Sequence, residues 1–327
     1  MRRMLAAALG SALLCAGLAN AVQAQSSFPP SQPVKLVVPA APGGSTDVLA
    51  RVLAQTLQQQ TGGTFIVDNR AGAGGAIGVQ AVVNAPADGT TLLVTVPDGV
   101  TVLPHLRKDI PYQALTDLAP VALVAETYWL FAVNPNVQAK TMQDLVALAK
   151  AKPGSIRYSS PGIGTSAHLI TARLALESGT EMLHVPYKGA GPATAAVVNG
   201  EVDMIATSPI SLKSFLDDGR LRALAITGAQ RLAALPNVST MVESGFAGFA
   251  ASAWFGVFAP AKVPTEQMER IFEVVSKAVA APEFQKHLAT MGLTPRQMSR
   301  AEFTSFVAAD SERWRQVIEK SKTSIQD

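Results

Sequence analysis

Cysteine and charge are both scarce in this sequence. Only one of the 327 residues, Cys15, is a cysteine, and charged residues make up 16% of the chain. Cys15 lies in an N-terminal segment that we expect to be removed, so the mature chain would have no thiol left to form a disulfide. Beyond that segment the sequence has no apolar run long enough to cross a bilayer. These shortages exclude disulfide bonds and argue against a chain embedded in a membrane.

The first residues resemble a secretory signal peptide. Arg2 and Arg3 precede an apolar run from Met4 to Leu18, and Val22-Gln23-Ala24 forms a small-x-Ala cleavage site. We therefore predict that residues 1–24 are a signal peptide cleaved after Ala24, which places the mature protein in the periplasm. A membrane anchor is the alternative, but the run is shorter than the roughly 20 apolar residues that a span needs.

Loss of this segment brings the chain close to neutrality. Without Arg2 and Arg3, 25 basic residues face 24 acidic ones. A nearly neutral protein lacks the basic surface that nucleic-acid binding requires, so we expect no nucleic-acid partner. The remaining length, about 300 residues, is sufficient for two domains.

Strand and helix patterns alternate along most of the chain, which predicts an α/β fold with mainly parallel sheets. The predicted strands are Val34–Val38, Phe65–Val67, Thr91–Val96, Val121–Val124, Trp129–Val133, Ile156–Tyr158, Leu183–Val185, Met204–Ala206 and Leu221–Ile226. The predicted helices are Thr46–Gln60, Ile77–Asn84, Met142–Ala151, Ser166–Ser178, Ala193–Asn199 and Pro209–Asp218, followed by two apolar helical stripes near the end of the chain.

No linker separates two domains, which fits lobes built from discontinuous segments. We place the first crossing between lobes around Val121–Val133 and the second in the segment that runs from the loop after Thr227 to Ala250–Phe258. Lobe one would then comprise residues 28–125 plus 246–327, and lobe two residues 126–245. The expected architecture is two lobes with a ligand cleft between them.

Two glycine-rich turns, one in each lobe, lead from a strand into a helix. Amide groups at a helix start are unpaired and lie at the positive end of the helix dipole, so they suit an anion. Together the turns predict a two-lobed clamp for a small carboxylate. The candidate ligand-binding residues are Pro42, Gly43, Gly44, Ser45, Thr46 and Asp47 in the first turn, and Gly162, Ile163, Gly164, Thr165, Ser166 and His168 in the second.

The roles of two of these side chains are left open by the sequence. Asp47 could cap its helix or position a bridging water, since a carboxylate would repel an anionic ligand. His168 could face the cleft or pack against the core.

Four further polar residues follow strands and could reach the same cleft. Tyr187 and Lys188 come after Leu183–Val185, and Ser208 comes after Met204–Ala206. Asp98 lies in a Pro-Asp-Gly sequence and is either a turn-forming residue or a carboxylate facing the two anion-suited turns. In the second case it would favour monocarboxylates with an amine or hydroxyl at the far end.

Motifs for catalysis are incomplete. Gly72-Ala-Gly74-Gly-Ala-Ile-Gly78 departs from a dinucleotide fingerprint at Ile77, and Gly164-Thr-Ser166-Ala-His168 lacks the last glycine of a nucleophile elbow. The four histidines show no metal-ligand spacing. We therefore expect no cofactor, no metal and no enzymatic activity, with an exported hydrolase acting through Ser166 as a remaining alternative.

Eight segments in order resemble the Bug family of extracytoplasmic solute receptors, which are associated with tripartite tricarboxylate transporters: VVPAAPGGSTDVLAR, VDNRAGAGGAIG, ADGTTLL, SSPGIGTSAHL, HVPYKGAGPA, GRLRALAIT, LPNVSTMVESG and SAWFGVFAP. The resemblance implies a type II periplasmic binding-protein fold and a carboxylate held by loops of both lobes, largely through backbone groups and bridging water. It places the site at Pro42 to Asp47, Gly162 to His168, Tyr187 and Lys188.

The sequence departs from the family where members often carry acidic or amide residues, at Ala172 and near Thr207-Ser208. The identity of the carboxylate therefore stays open. We expect a monomeric receptor that hands its ligand to membrane transporter subunits. A sensor that docks on a receptor kinase remains an alternative.

Overall fold

Alternating helices and strands build two lobes in the computed structural model, which describes residues 28–321. The strands are β1 (Val34–Val38), β2 (Phe65–Asn69), β3 (Thr91–Thr95), β4 (Leu118–Thr127), β5 (Leu130–Val133), β6 (Arg157–Ser160), β7 (Leu183–Pro186), β8 (Met204–Thr207), β9 (Arg222–Ile226), β10 (Ser239–Thr240), β11 (Ala253–Pro260) and β12 (Thr294–Pro295). The helices are α1 (Ser45–Thr61), α2 (Ala76–Val83), α3 (Leu103–Leu106), α4 (Ala114–Asp117), α5 (Met142–Ala151), α6 (Ser166–Ser178), α7 (Ala190–Val198), α8 (Pro209–Asp217), α9 (Thr265–Ala280), α10 (Pro282–Thr290) and α11 (Arg300–Ser321).

Each lobe is organised around one six-stranded sheet. Lobe one has the strand order β12-β4-β11-β3-β1-β2, and lobe two has the order β10-β9-β5-β8-β6-β7. Within β1, Val34, Leu36 and Val38 pack on one face of the sheet while Val37 packs on the other. Helices cover both faces, and this explains why the strand is a nearly continuous apolar run.

The prediction of mainly parallel sheets is wrong. Strand β11 runs antiparallel to β3 and β4, and β5 runs antiparallel to β8 and β9. Both strands follow a passage from the other lobe, so no helical crossover constrains them to run parallel to their neighbours. The remaining α/β units, such as β1-α1-β2 and β6-α6-β7, are parallel as expected.

The chain passes between the sheets twice, once from β4 to β5 and once from β10 to β11. At the first passage only Tyr128 and Trp129 separate the two strands. The buried carboxylate of Glu126 lies beside both passages, where it accepts hydrogen bonds from Arg296 at 2.7 and 2.8 Å and from Ser252 at 2.9 Å. These contacts tie the connecting segments to one another.

The last helix joins the two cores. Phe303 and Val307 at the start of α11 pack in lobe one, whereas Trp314, Val317 and Ile318 near its end pack in lobe two. The C-terminal segment therefore contributes to both lobes, although the sequence had placed residues 246–327 in lobe one. The lobe boundaries themselves stay a prediction.

The predicted signal peptide, residues 1–24, lies outside the described residues. Within residues 28–321, none of the helices is both long and apolar enough to span a bilayer.

Candidate functional site

A cleft of about 410 Å³ lies between the lobes, next to both chain passages. It is lined by Gly43, Ser45, Val48, Val96, Pro97, Thr127, Tyr128, Trp129, Ser166, Ser208, Ile210, Ser211, Ala253, Phe255, Thr290, Met291 and Leu293. This is the volume of a small-molecule site. A larger groove of about 590 Å³ runs along α1 and β2, but residues of lobe one alone line it.

In lobe one, the turn before α1 is held from beneath by Asp47. Its Oδ2 accepts hydrogen bonds from the Gly43 amide at 2.8 Å and from Arg51 Nε at 3.0 Å, and Arg51 also donates to Asn69. The hydrogen bond from Arg51 keeps the pKa of Asp47 below its ordinary value. Asp47 is 2% exposed, so its role in this structure is to anchor the turn.

The amides that begin α1 are free to bind an anion. Gly44 occupies the N-cap position without a side-chain cap, and the first bond of the helix runs from Val48 to the Gly44 carbonyl. The amides of Ser45, Thr46 and Asp47 have no partner among the described residues. Since Gly43 and Ser45 line the cleft, these donors lie at its lobe-one wall.

The glycines of the two turns differ in backbone conformation and therefore in whether another residue could replace them. Gly43 and Gly164 adopt φ angles of 85° and 77°, in the left-handed region that favours glycine. Gly44 has φ −75°, and an added Cβ would meet only the Ala41 carbonyl at 3.7 Å. A side chain at Gly44 would therefore fit the backbone while narrowing the approach to the helix end.

In lobe two, the turn before α6 is also held from beneath, here by His168. The His168 Nδ1 accepts a hydrogen bond from the Gly164 amide at 3.1 Å, and Thr165 caps the helix by accepting from the His168 amide at 3.3 Å. His168 is 7% exposed. The structure thus resolves the alternative left by the sequence: His168 packs under the turn.

His168 stacks on His184, with ring centroids 3.9 Å apart and an angle of 10° between the planes. Burial lowers the pKa of His168 to about 3 and that of His184 to about 4. His184 Nε2 lies 2.7 Å from Ser160 Oγ, and this hydroxyl donates to the Gly162 carbonyl. Because Ser160 uses its proton there, we assign Nε2 of neutral His184 as the donor in this pair.

Asp98 connects the two lobes at the start of α6. It opens a π-helical turn, Asp98–Val102, in lobe one, and its Oδ1 accepts a hydrogen bond from the Ser166 amide of lobe two at 3.1 Å. The Ser166 hydroxyl lies beside the same carboxylate, and burial raises the pKa of Asp98. Asp98 is therefore more than a turn residue: its carboxylate occupies one of the anion-suited helix ends.

Two hydroxyls in the cleft lack partners among the described residues. Thr127 Oγ1 and Ser208 Oγ are both buried, and Thr127 is 6% exposed. Both residues line the cleft. An unpaired buried hydroxyl is costly, and a polar group of a ligand could pair with it.

The structure brings some predicted residues into the cleft and leaves others at its margin. Gly43, Ser45, Ser166 and Ser208 line the cleft. The Tyr187 amide donates to the Ser160 carbonyl, which places it behind the second turn. Pro42, Ile163 and Lys188 are exposed outside the cleft lining.

Sequence reasoning missed the apolar part of the site. Trp129, Phe255, Met291 and Leu293 line the cleft but were not among the predicted site residues. A signal for two of them was available, since Trp129 lies in the predicted first crossing and Phe255 in the second. A cleft between lobes must be lined by the segments that cross it.

The alternatives based on catalysis gain no geometric support. Among the described residues, no hydrogen bond joins the Ser166 hydroxyl to His168, whose Nδ1 accepts the Gly164 amide. The glycine-rich Gly72 to Gly78 segment brings α2 close to β1: a Cβ on Gly78 would lie 2.7 Å from Pro39. Residues 28–321 contain no group of three or more His, Cys, Asp or Glu side chains that could hold a metal ion.

Comparisons with known proteins agree with this architecture. The family model described as "Tripartite tricarboxylate transporter family receptor" matches residues 49–323. The chain is 35% identical to Protein BugT of Bordetella pertussis over 326 residues, which cover 99% of each chain.

Two solved structures are similar in both fold and sequence. One, "R. palustris Rpa4515 with adipate", has a TM-score of 0.82 and 31% identity, and the match covers 90% of this chain and 99% of that one. The other, MatC of Rhodopseudomonas palustris with bound malate, has a TM-score of 0.80 and 26% identity over 88% and 99% of the two chains. The titles of both structures name a bound carboxylate, adipate in one and malate in the other. The chain described here therefore belongs to the tripartite tricarboxylate transporter receptor family, which includes the Bug proteins.

Proposed function

We propose that this protein captures a small organic carboxylate in the cleft between its lobes and delivers it to the membrane subunits of a tripartite tricarboxylate transporter. The observation that carries the proposal is the open N-terminus of α1 at the cleft wall, where three successive amides have no partner among the described residues. Family membership and the carboxylates in the titles of the two related structures support the same ligand chemistry.

The open amides and the apolar lining both supply favourable contacts to a bound carboxylate. Micromolar binding corresponds to about −8 kcal/mol. Hydrogen bonds to a charged group contribute about 1.5–3 kcal/mol each, and apolar surface removed from water adds roughly 25 cal/mol per Å². Two or three amides at α1 would supply about 3–9 kcal/mol, and contact against Trp129 and Phe255 would add to this before the cost of association is subtracted.

The site defined by this proposal has two parts. The amides of Ser45, Thr46 and Asp47 hold the carboxylate, and Thr127, Ser208 and the apolar side chains of the cleft contact the body of the ligand. Gly43, Gly162, Gly164, Thr165 and His168 shape the two turns. We also propose that the protein acts as a periplasmic monomer whose mature chain begins at Gln25.

The test is to identify what co-purifies with the protein by mass spectrometry and then to screen carboxylates by thermal shift. A ligand present at 100 times its dissociation constant stabilises the fold by about 2.7 kcal/mol, which a melting curve detects readily. Gly44→Val should weaken binding of the best carboxylate at least tenfold, because the new side chain blocks the approach to the α1 amides.

Gly191→Val is the matched control. Gly191 lies on α7, has an ordinary φ and has no atom within 4 Å of an added Cβ, so the same substitution there should leave binding unchanged. Equal affinity of the two variants would show that the carboxylate binds elsewhere. Turnover of an ester or amide that Ser166→Ala abolishes would instead favour a hydrolase.

A further inference from the structure

Asp98 supplies, from within the chain, an anion for one of the two helix ends of the clamp. Its carboxylate reaches across from lobe one and accepts the Ser166 amide, the first amide of α6. A carboxylate at that place makes the interaction that a ligand anion would make with the helix dipole. The lobe-two half of the anion clamp is thus already occupied.

The two helix ends are therefore not equivalent. At α1 the acidic side chain, Asp47, is turned beneath the loop and paired with Arg51, and the first amides stay open. At α6 the first amide is taken by Asp98, and the Gly164 amide is taken by His168. A ligand that enters the cleft therefore meets three open amides at α1, whereas at α6 only the Ala167 amide among the first three has no partner among the described residues.

The rest of the cleft offers no positive side chain to a second carboxylate. Among the described residues that line it, none is charged. The lining combines apolar side chains, such as Trp129 and Phe255, with hydroxyls. Thr127 Oγ1 and Ser208 Oγ are buried there without a partner, so they can pair with an uncharged polar group of a ligand.

We propose that this cleft selects organic monocarboxylates with an apolar or hydroxylated body over dicarboxylates, because Asp98 takes the place that a second ligand carboxylate would occupy. The inference rests on the proposed function and specifies its substrate class. A dicarboxylate long enough to reach α6 meets the Asp98 carboxyl group and must displace it from the Ser166 amide. A monocarboxylate bound at α1 leaves that hydrogen bond intact.

The experiment compares matched acids on two proteins. Monocarboxylates and dicarboxylates of the same carbon number, from butanoate with succinate to octanoate with suberate, are titrated calorimetrically into the wild type and into Asp98→Asn. The amide of asparagine can still accept from Ser166 but carries no charge. We expect the wild type to bind the best monocarboxylate at least tenfold more tightly than its dicarboxylate partner, and Asp98→Asn to reduce that ratio to threefold or less.

Asp218→Asn is the matched control, since it removes the same charge from an exposed position at the end of α8. It should leave the ratio of affinities unchanged. A wild type that binds dicarboxylates as tightly as monocarboxylates overturns the inference while leaving the proposed function standing. The inference is also overturned if Asp98→Asn changes the ratio of monocarboxylate to dicarboxylate affinity by less than threefold. Absence of binding by every acid in the series to both proteins, in contrast, counts against the proposed function.

A second measurement needs no variant. In ¹⁵N-labelled wild type, a bound monocarboxylate should shift the amide signals of Ser45 and Thr46 strongly and that of Ser166 only weakly. A Ser166 shift as large as those at α1 would show that the ligand displaces Asp98, which contradicts the proposal.

Discussion

The stacked histidines beneath the second turn should make the protein unstable in mild acid. His168 and His184 have pKa values lowered by burial to about 3 and about 4, against an ordinary value of 6.5. A group whose pKa is lower in the folded state contributes stability that is fully present above its unfolded pKa and is lost as the pH falls towards its folded pKa. The two histidines therefore lower the unfolding free energy as the pH falls from 6.5 to about 4 for His184 and to about 3 for His168.

Down to pH 5, the loss of unfolding free energy does not depend on the exact pKa values of the two histidines in the folded protein. Both histidines remain neutral in the folded protein at pH 5, whereas each is mostly protonated in the unfolded chain. Each pH unit below 6.5 then costs about 1.4 kcal/mol per histidine. Between pH 7.5 and pH 5 the loss is about 2 kcal/mol for each residue and about 4 kcal/mol for the pair. Domains are stable by only about 5–15 kcal/mol, so this loss is large.

The assay is urea unfolding at pH 7.5, 6.0 and 5.0. The variants His168→Asn and His184→Gln retain the hydrogen-bonding atoms of the two rings but do not titrate. Each should reduce the pH-dependent loss of unfolding free energy by about 2 kcal/mol, and the double variant by about 4 kcal/mol. His287→Gln, on the exposed surface of α10, is the control and should leave the loss unchanged.

Comparison between variants removes the contributions of other groups. The pKa of His105 is also lowered by burial, and those of Asp98 and Asp310 are raised by it, but these residues are the same in every protein compared. If the double variant loses as much stability between pH 7.5 and pH 5 as the wild type, the stacked pair is not protonated on unfolding in this window. The two rings would then not be held neutral by burial beneath the second turn.

Three further predictions concern the passages, the core and export. Arg296→Ala should lower the unfolding free energy measured in urea by about 3 kcal/mol, because it leaves the buried Glu126 without a cation. Glu126→Gln should cost less, because Arg296 is 45% exposed and water can solvate it. A larger loss for Glu126→Gln than for Arg296→Ala would contradict this prediction. Phe303→Ala should cost about 3–5 kcal/mol in the same assay, since the ring is fully buried in the core of lobe one, and a loss below 1 kcal/mol would refute that placement. N-terminal sequencing of the periplasmic fraction should begin at Gln25, and a chain that retains Met1 on the membrane would rule out the predicted cleavage.

The local pattern of the sequence predicted most strands and helices of the described residues. The bounds of β1 and of α6 agree with the prediction, and so do those of α5. Each is a strongly apolar or periodic segment set off by glycine, proline or a capping residue such as Thr141. Such signals act over a few neighbouring residues, so a single sequence contains them.

Pairing between distant segments was harder to predict. The segment Ala250–Phe258 was predicted to end the second passage between lobes, and most of it is strand β11, which lies between β3 and β4 and runs antiparallel to both. Its partner in β4 is more than a hundred residues away, and no local pattern encodes that distance. The same holds for α11, whose single apolar stripe serves the cores of both lobes.

The two turns of the clamp use the same device, which the sequence does contain. Asp47 and His168 are each the third residue of their helix, and each accepts a hydrogen bond from the glycine amide four residues earlier, Gly43 or Gly164. This resembles a capping box moved one residue outward, with the side chain reaching back to hold the turn.

The common spacing, Gly-x-x-x-Asp and Gly-x-x-x-His, therefore identifies both side chains as supports of their turns. The spacing cannot predict the role of Asp98, because its hydrogen bond to Ser166 joins residues 68 positions apart in different lobes. A motif at one loop can show how that loop is held. Whether its amides are open to a ligand depends on which distant side chain the fold brings to them, and in this protein that side chain closes one end of the clamp and leaves the other open.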